Sequence, residues 1–147
     1  MPTSEKTLAD EIQAQGQFVG YSTLKVAKAI YNFGIDGGVS GAITPKFTVL
    51  LPKNAVIVGG TVNSTTAVTS GGAGTVSIGT TAGSSAASLL GVTAKGSLSA
   101  NALVNAVPVF GTPVKLSAAG YINFTVATAD LTAGVIEAVV FYYEANN

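Results

Sequence analysis

Any chemistry in this chain would have to come from carboxylates. The 147 residues include no His, Cys, Arg or Trp, and all seven cations are lysines. Without a thiol or an imidazole there is no Cys–His or Ser–His–Asp arrangement, no zinc–thiolate site and no side chain that ordinarily titrates near neutrality. Without arginine there is no bidentate clamp for a phosphate or carboxylate. What remains is a pair of acids, the arrangement glycosidases use. Beyond residue 20 the candidates are Asp36, Asp130, Glu137 and Glu144. Glu137 and Glu144 fall on one predicted strand, seven residues apart, so they face opposite ways about 23 Å from each other. Asp130 and Glu137 flank a predicted hairpin turn and could approach, but nothing in the sequence supplies a pocket around them. Asp36 in GIDGG lacks the D-x-D-x-D-G spacing of a calcium loop and reads as a turn aspartate. Lys95 precedes Gly96, whereas a phosphate loop needs Gly-Lys-Ser/Thr in order. The expectation is no enzyme, no cofactor and no metal.

Sugar binding is the other chemistry the residue types allow. Tyr21, Tyr31, Tyr121, Tyr142 and Tyr143 could stack on pyranose rings beside Asn- and Thr-rich loops. Tryptophan, the usual platform residue, is absent, and two of the tyrosines sit in the last predicted strand. A receptor- or glycan-binding module of a fibre or spike is the alternative reading.

The elements that would position these groups are strands. Residues 54–94 carry no charged side chain. Within them Val56–Asn63 and Thr75–Thr80 alternate apolar and small polar residues, and SGGAG lies between. Val, Ile and Thr are stiff at χ1 and suit a pleated surface, while glycine supports tight reversals. The pattern predicts a β-hairpin with a glycine-rich tip. Gly59-Gly60, inside its first strand, predicts a bulge or a close approach of backbones. Lys25–Asn32 fits a strand, with helix the competing reading because Ala and Lys are good helix formers. Phe47–Leu51, bracketed by Pro45 and Pro52, predicts an edge strand. Residues 81–107 read as a long connection between sheets. Tyr121–Ala127 alternates as a half-buried strand, and residues 128–134 read as a hairpin connection into Val135–Glu144.

That last strand is apolar on both faces. Ile136, Ala138, Val140 and Tyr142 lie on one, Val135, Val139, Phe141 and Tyr143 on the other. A strand in an antiparallel sandwich needs only one buried face. The second face is either covered by a loop or forms a subunit interface through Val139, Phe141 and Tyr143, since aromatic residues are enriched in such contacts. Residues 1–20 differ from the rest. Thr3 or Ser4 could cap a short helix through ADEIQAQ that ends at Gly16, with Leu8, Ala9 and Ile12 as one apolar stripe. The segment reads as a frayed terminus or as an arm that docks on a neighbouring subunit.

Hydrophobic residues make up 48% of the chain, charged residues 10%, and the formal net charge is zero. A neutral surface gives no electrostatic grip on phosphates, so no nucleic-acid partner is expected. Low net charge also removes the usual protection against self-association. No apolar run approaches the length needed to cross a bilayer, and MPTSEKTLADEIQAQ lacks the apolar core of a secretion signal. The expectation is synthesis in a host cytoplasm and no membrane partner.

NSTTAVTSGGAGTVSIGTTAG, the SLLG linker and PVKLSAAGYINFTVATADLTAGVIEAVVFYYE together resemble small virion proteins of tailed bacteriophages, over roughly residues 45–144. The resemblance implies a capsid decoration (cement) protein with a β-sandwich or jelly-roll domain. It further implies a homotrimer bound to the major capsid protein on the outer head surface. The N-terminal arm would contact the capsid, with Leu8, Ile12 and Phe18 as its contact residues. The resulting expectation is an all-β chain with an arm at residues 1–20 and one antiparallel sandwich at residues 21–147. Seven or eight short strands separated by Gly, Pro and Asn turns point the same way.

Overall fold

Runs of Val, Ile, Thr and Tyr broken by Gly, Pro and Asn give strands almost throughout. A computed structural model of the chain describes residues 23–82, 87–105 and 113–145. In chain order the elements are β1 (Lys25–Asn32), a one-turn helix α1 (Phe33–Asp36), β2 (Gly41–Ile43), β3 (Phe47–Thr48), β4 (Leu50–Leu51) and β5 (Ala55–Ser70). They continue with β6 (Thr75–Thr80), β7 (Leu90–Ala94), β8 (Ala102–Asn105), β9 (Val114–Lys115), β10 (Gly120–Ala127) and β11 (Leu131–Glu144). All pairings are antiparallel. One sheet runs β3-β1-β11-β5-β8, with β9 also on β5, and the other runs β2-β10-β6-β7, with β4 on β10.

Setting aside the two-residue strands β3, β4 and β9, the order has a simple logic. β1 pairs with β11, β2 with β10, β5 with β8 and β6 with β7, so the first strand meets the last and the pairing works inward. The chain behaves as one long hairpin, tipped by β6 and β7, rolled into two facing sheets. That is the jelly-roll form of the β-sandwich.

This topology corrects two hairpin expectations. β5 and β6 lie in different sheets, so residues 71–74 carry the chain across the sandwich. The reason is competition for edges. β11 occupies one side of β5 along its whole length. On the other, β9 and β8 pair with residues 56–57 and 61–64, and nearer the tip the Leu98 carbonyl takes the Val68 amide that a β5–β6 hairpin would use. The crossing is fixed by the Lys95 ammonium donating to Ser70 O at 2.7 Å and the Lys95 amide donating to Gly74 O at 3.1 Å. Likewise β10 and β11 belong to opposite sheets, since β11 is already flanked by β1 and β5. A γ-turn makes that step: the Ala129 amide donates to Ala127 O across Thr128, which is held at φ 71°.

Residues 81–107 are also more ordered in purpose than the sequence implied. The described part of that segment holds β7, a 3-10 turn at Lys95–Ser97 and β8, and it passes from one sheet to the other. Its anchor is Leu98, fully buried, whose carbonyl accepts from the Val68 amide at 2.9 Å and the Ser64 hydroxyl at 3.0 Å. The β reading of Lys25–Asn32 holds. Ala27, Ala29 and Tyr31 are buried between the sheets while Lys25, Val26 and Lys28 are exposed, and no helix could bury alternate residues in this way. The core between the sheets includes Leu51, Ile57, Ile78, Leu89, Leu116, Ile122 and Ile136, with the Tyr31 and Phe124 rings 5.7 Å apart.

A bulge lies next to Gly59-Gly60, with Val58 as the extra residue. The register between β5 and β11 shifts where Phe141 opposite Gly59 gives way to Tyr142 opposite Ile57. A Cβ on Gly60 would sit 2.2 Å from the Val139 carbonyl oxygen, so the two backbones approach more closely than any side chain permits.

Candidate assembly surface

Among the described residues, each carboxylate is engaged within the fold. Asp36 accepts from the Asn32 amide at 2.9 Å and the Lys46 amide at 3.0 Å, which ties α1 to the start of β3. Asp130 accepts from the amide and hydroxyl of Ser40, both at 2.8 Å, and joins the β1–β2 and β10–β11 connections. Those hydrogen bonds hold its carboxyl below the usual carboxylate range. Glu137 lies six residues along β11 from Leu131, which follows Asp130, about 20 Å at the rise of a strand, so the approach the hairpin reading allowed does not occur. Glu137 instead pairs with Lys28 at 3.3 Å, and Glu144 pairs with Lys25 at 2.8 Å. Among the described residues no three acids come together as a metal site.

The tyrosines are equally dispersed. Tyr31 and Tyr142 are buried, Tyr143 is half-buried on the first sheet, and Tyr121 is exposed on the second. No sugar platform of adjacent rings forms from these four. Tyr21 lies outside the described residues.

Tyr31 reports on the loop end of the sandwich. Its hydroxyl donates to Gly37 O at 2.6 Å, and burial, with a smaller contribution from the Asp36 charge, pushes its pKa up to about 12. A raised folded-state value means the phenol stabilises the fold fully below its unfolded pKa near 10, and that stabilisation is lost as pH rises toward 12. Tyr31→Phe should cost about 1 kcal/mol at neutral pH and flatten the alkaline limb of the unfolding curve. Equilibrium denaturation between pH 8 and 12 checks this, and an unchanged alkaline limb would refute it.

What the first sheet does present is an apolar outer face. On β11 the inward residues Ile136, Ala138, Val140 and Tyr142 are buried, while Val139, Phe141 and Tyr143 face out and remain half-buried. The register then builds a surface around them. Phe141 lies between Val26 and Gly59, Val139 between Lys28 and Thr61, and Glu137 between Ile30 and Asn63. Next to Ile30 comes Phe47 on β3. Val26 is 58% exposed and Phe47 57% exposed, where a monomeric sandwich would carry polar side chains. Lys28 and Glu137 cross the patch as an ion pair at 3.3 Å, leaving the apolar residues on both sides of them.

The sequence pattern therefore located Val139, Phe141 and Tyr143 on the outward face of β11. It did not find Val26, Ile30 and Phe47, which join them only through long-range pairing. Leu8, Ile12 and Phe18 lie outside the described residues, as does the helix expected near them. The second sheet has a smaller apolar spot where Leu50 and Tyr121 pair, both partly exposed.

Comparison with known proteins places this architecture. No protein-family model matches the chain, and no curated protein matches it in sequence. Solved structures do match in fold. A chain of the acid-stable capsid structure of Helicobacter pylori bacteriophage KHP30 superposes with a TM-score of 0.58 at 16% identity, covering 84% of this chain and 89% of that one. A chain of the cyanophage Pam1 capsid asymmetric unit gives 0.59 at 20% identity, over 84% and 86%. A chain of the Ralstonia phage GP4 capsid gives 0.55 at 17% identity, over 86% and 88%. The fold is thus one that occurs in phage capsid structures.

Proposed function

We propose that this chain is a structural virion protein that decorates and stabilises a tailed-phage capsid. In this reading it is a homotrimer on the outer head surface, bound to the major capsid protein, and it transforms no substrate. The observation that carries the reading is the outer face of β1 and β11. An all-β domain that leaves Val26, Phe47, Val139, Phe141 and Tyr143 outside its core has built a surface for contact with other chains. The fold-level likeness to chains of three phage capsid structures supports the virion setting. Residues 1–20 act as an arm that ties each copy into the shell, with Leu8, Ile12 and Phe18 as its contact residues.

The mechanism is linkage. A protein that binds the assembled lattice better than free subunits shifts the equilibrium toward the lattice in proportion to its occupancy. Many copies each burying a modest apolar area suffice, and no reactive group is needed. Sedimentation of the purified protein should give a trimer, and deletion of residues 1–20 should lower its occupancy on purified heads while leaving the trimer folded. A monomer at micromolar concentration would sink the reading, and unchanged head occupancy would remove the arm from it.

A further inference from the structure

The connections of the sandwich separate into two ends. The β1–β2, β5–β6, β7–β8 and β10–β11 connections gather at one, which we call the loop end. There Ser40 donates to Asp130, the Leu131 amide donates to Gly38 O at 2.8 Å, and the Lys95 amide donates to Gly74 O at 3.1 Å. The entry to β1, the β4–β5 and β9–β10 connections and the exit from β11 lie at the other, the entry end. There the Asn54 amide donates to Leu116 O at 3.0 Å, the Ala145 amide donates to Asn54 O at 3.1 Å, and Lys25 pairs with Glu144. Residues 1–22 therefore join the fold at the entry end, beside the exit of β11.

The two ends differ in charge. The loop end carries Asp36 and Asp130 against Lys46 and Lys95, a sum of zero. The entry end carries Lys25, Lys53 and Lys115 against Glu144 alone. Lys25 and Glu144 neutralise each other, and among the described residues Lys53 and Lys115 have no ion-pair partner. Both of these lysines are exposed. Apolar side chains are exposed beside them. Leu24, just ahead of β1, is 50% exposed, and Leu50, three residues before Lys53, is equally so and pairs with Tyr121 at the start of β10. In a chain with so little charge, unpaired lysines among exposed apolar groups suit a partner that is itself apolar and bears carboxylates.

We propose that the entry end is the surface that meets the capsid shell, and that the shell presents carboxylates to Lys53 and Lys115 there. The proposal rests on the decoration reading, in which residues 1–20 tie each copy into the shell. An arm rooted beside Glu144 brings the entry end, and not the loop end, against whatever it grips. Leu24, Leu50 and Tyr121 supply apolar contact, and the two lysines select an acidic partner and set the orientation. The loop end points away from the shell. The outer face of β11 runs along the strands rather than across their ends, so one copy uses both surfaces at once.

The absence of cysteine makes a direct test clean. Lys53→Cys and Lys115→Cys each place a single thiol on the entry end, and Val39→Cys places one on the loop end, where Val39 is 72% exposed. Each variant is labelled with a maleimide, first free in solution and then bound to purified heads that lack the protein. Binding should slow labelling of Lys53→Cys and Lys115→Cys by about tenfold or more, because a covered thiol is out of reach of the reagent, and should leave Val39→Cys unchanged. Lys53→Glu combined with Lys115→Glu should weaken head binding by about tenfold at unchanged oligomer mass, and added salt should weaken the parent's binding. Protection of Val39→Cys in place of the other two would overturn the proposal, as would equal labelling of all three on heads. Unchanged affinity of the double charge reversal would overturn it too. These outcomes leave decoration itself standing, whereas a parent protein that does not bind heads defeats the decoration reading and this proposal together.

Discussion

Gly60→Ala should be among the most damaging single substitutions in this protein, lowering stability by about 3 kcal/mol. Gly60 sits in the middle of β5, opposite Val140 on β11, where the new methyl would lie 2.2 Å from the Val139 carbonyl oxygen and 2.9 Å from the Val140 Cα. Both are backbone atoms of a strand locked between two neighbours, so neither can swing away as a side chain would. Relief requires separating β5 from β11, the longest pairing in the fold. For a chain of this size the loss corresponds to a melting temperature about 10 °C lower. Gly91→Ala is the matched control, because nothing lies within 4 Å of the methyl it would add. Thermal unfolding of the two variants should differ clearly. If Gly60→Ala melts within a degree or two of the parent, the backbones are not in the close contact described.

The second large effect is expected on assembly. Phe141→Lys should leave the fold intact and dissociate the proposed trimer. The ring faces out beside Gly59, which has no side chain, so a longer polar chain can extend to solvent without disturbing the core residues Val140 and Tyr142. At a subunit interface the same change removes an apolar anchor and places a charge without a partner. Loss of about 2 kcal/mol per copy, summed over three copies, would lower the association constant by about four orders of magnitude. Sedimentation should show the mass fall to that of one chain while the circular dichroism spectrum stays β-type. Tyr121→Lys, on the second sheet, should leave the mass unchanged. If Phe141→Lys keeps the parent mass, the outer face of β11 is not the self-association surface.

Asp36 and Asp130 hold backbone amides, and Glu137 and Glu144 hold lysines. Each of these four acids is engaged in fixing a loop or a strand. Lys95, the residue nearest to a phosphate-loop motif, anchors the β5–β6 crossing through Ser70 O.

Some of this could be read from residue order alone. Alternation along Tyr121–Ala127 gave the buried set Ile122, Phe124 and Val126, and alternation along β11 separated Ile136, Ala138, Val140 and Tyr142 from Val139, Phe141 and Tyr143. The paired glycines at 59 and 60 signalled a bulge beside them. The single edge strand expected over Phe47–Leu51 is instead two two-residue strands, β3 at the edge of the first sheet and β4 on β10 in the second, because the chain changes sheets at Val49. All these signals are local, because side-chain facing has a period of two along a strand and turn chemistry is set within a few residues. Strand partners are not local. The run 71–74 and the run 128–130 have the composition of hairpin turns, and both cross between sheets because β5 and β11 have each already filled two edges with distant strands. The apolar face is divided in the same way. Three of its residues were legible on β11, whereas Val26, Ile30 and Phe47 became part of it only when the first strand paired with the last. Composition and alternation determined that this is a β-sandwich with a surplus apolar face; competition among strands for backbone hydrogen bonds decided which residues share that face.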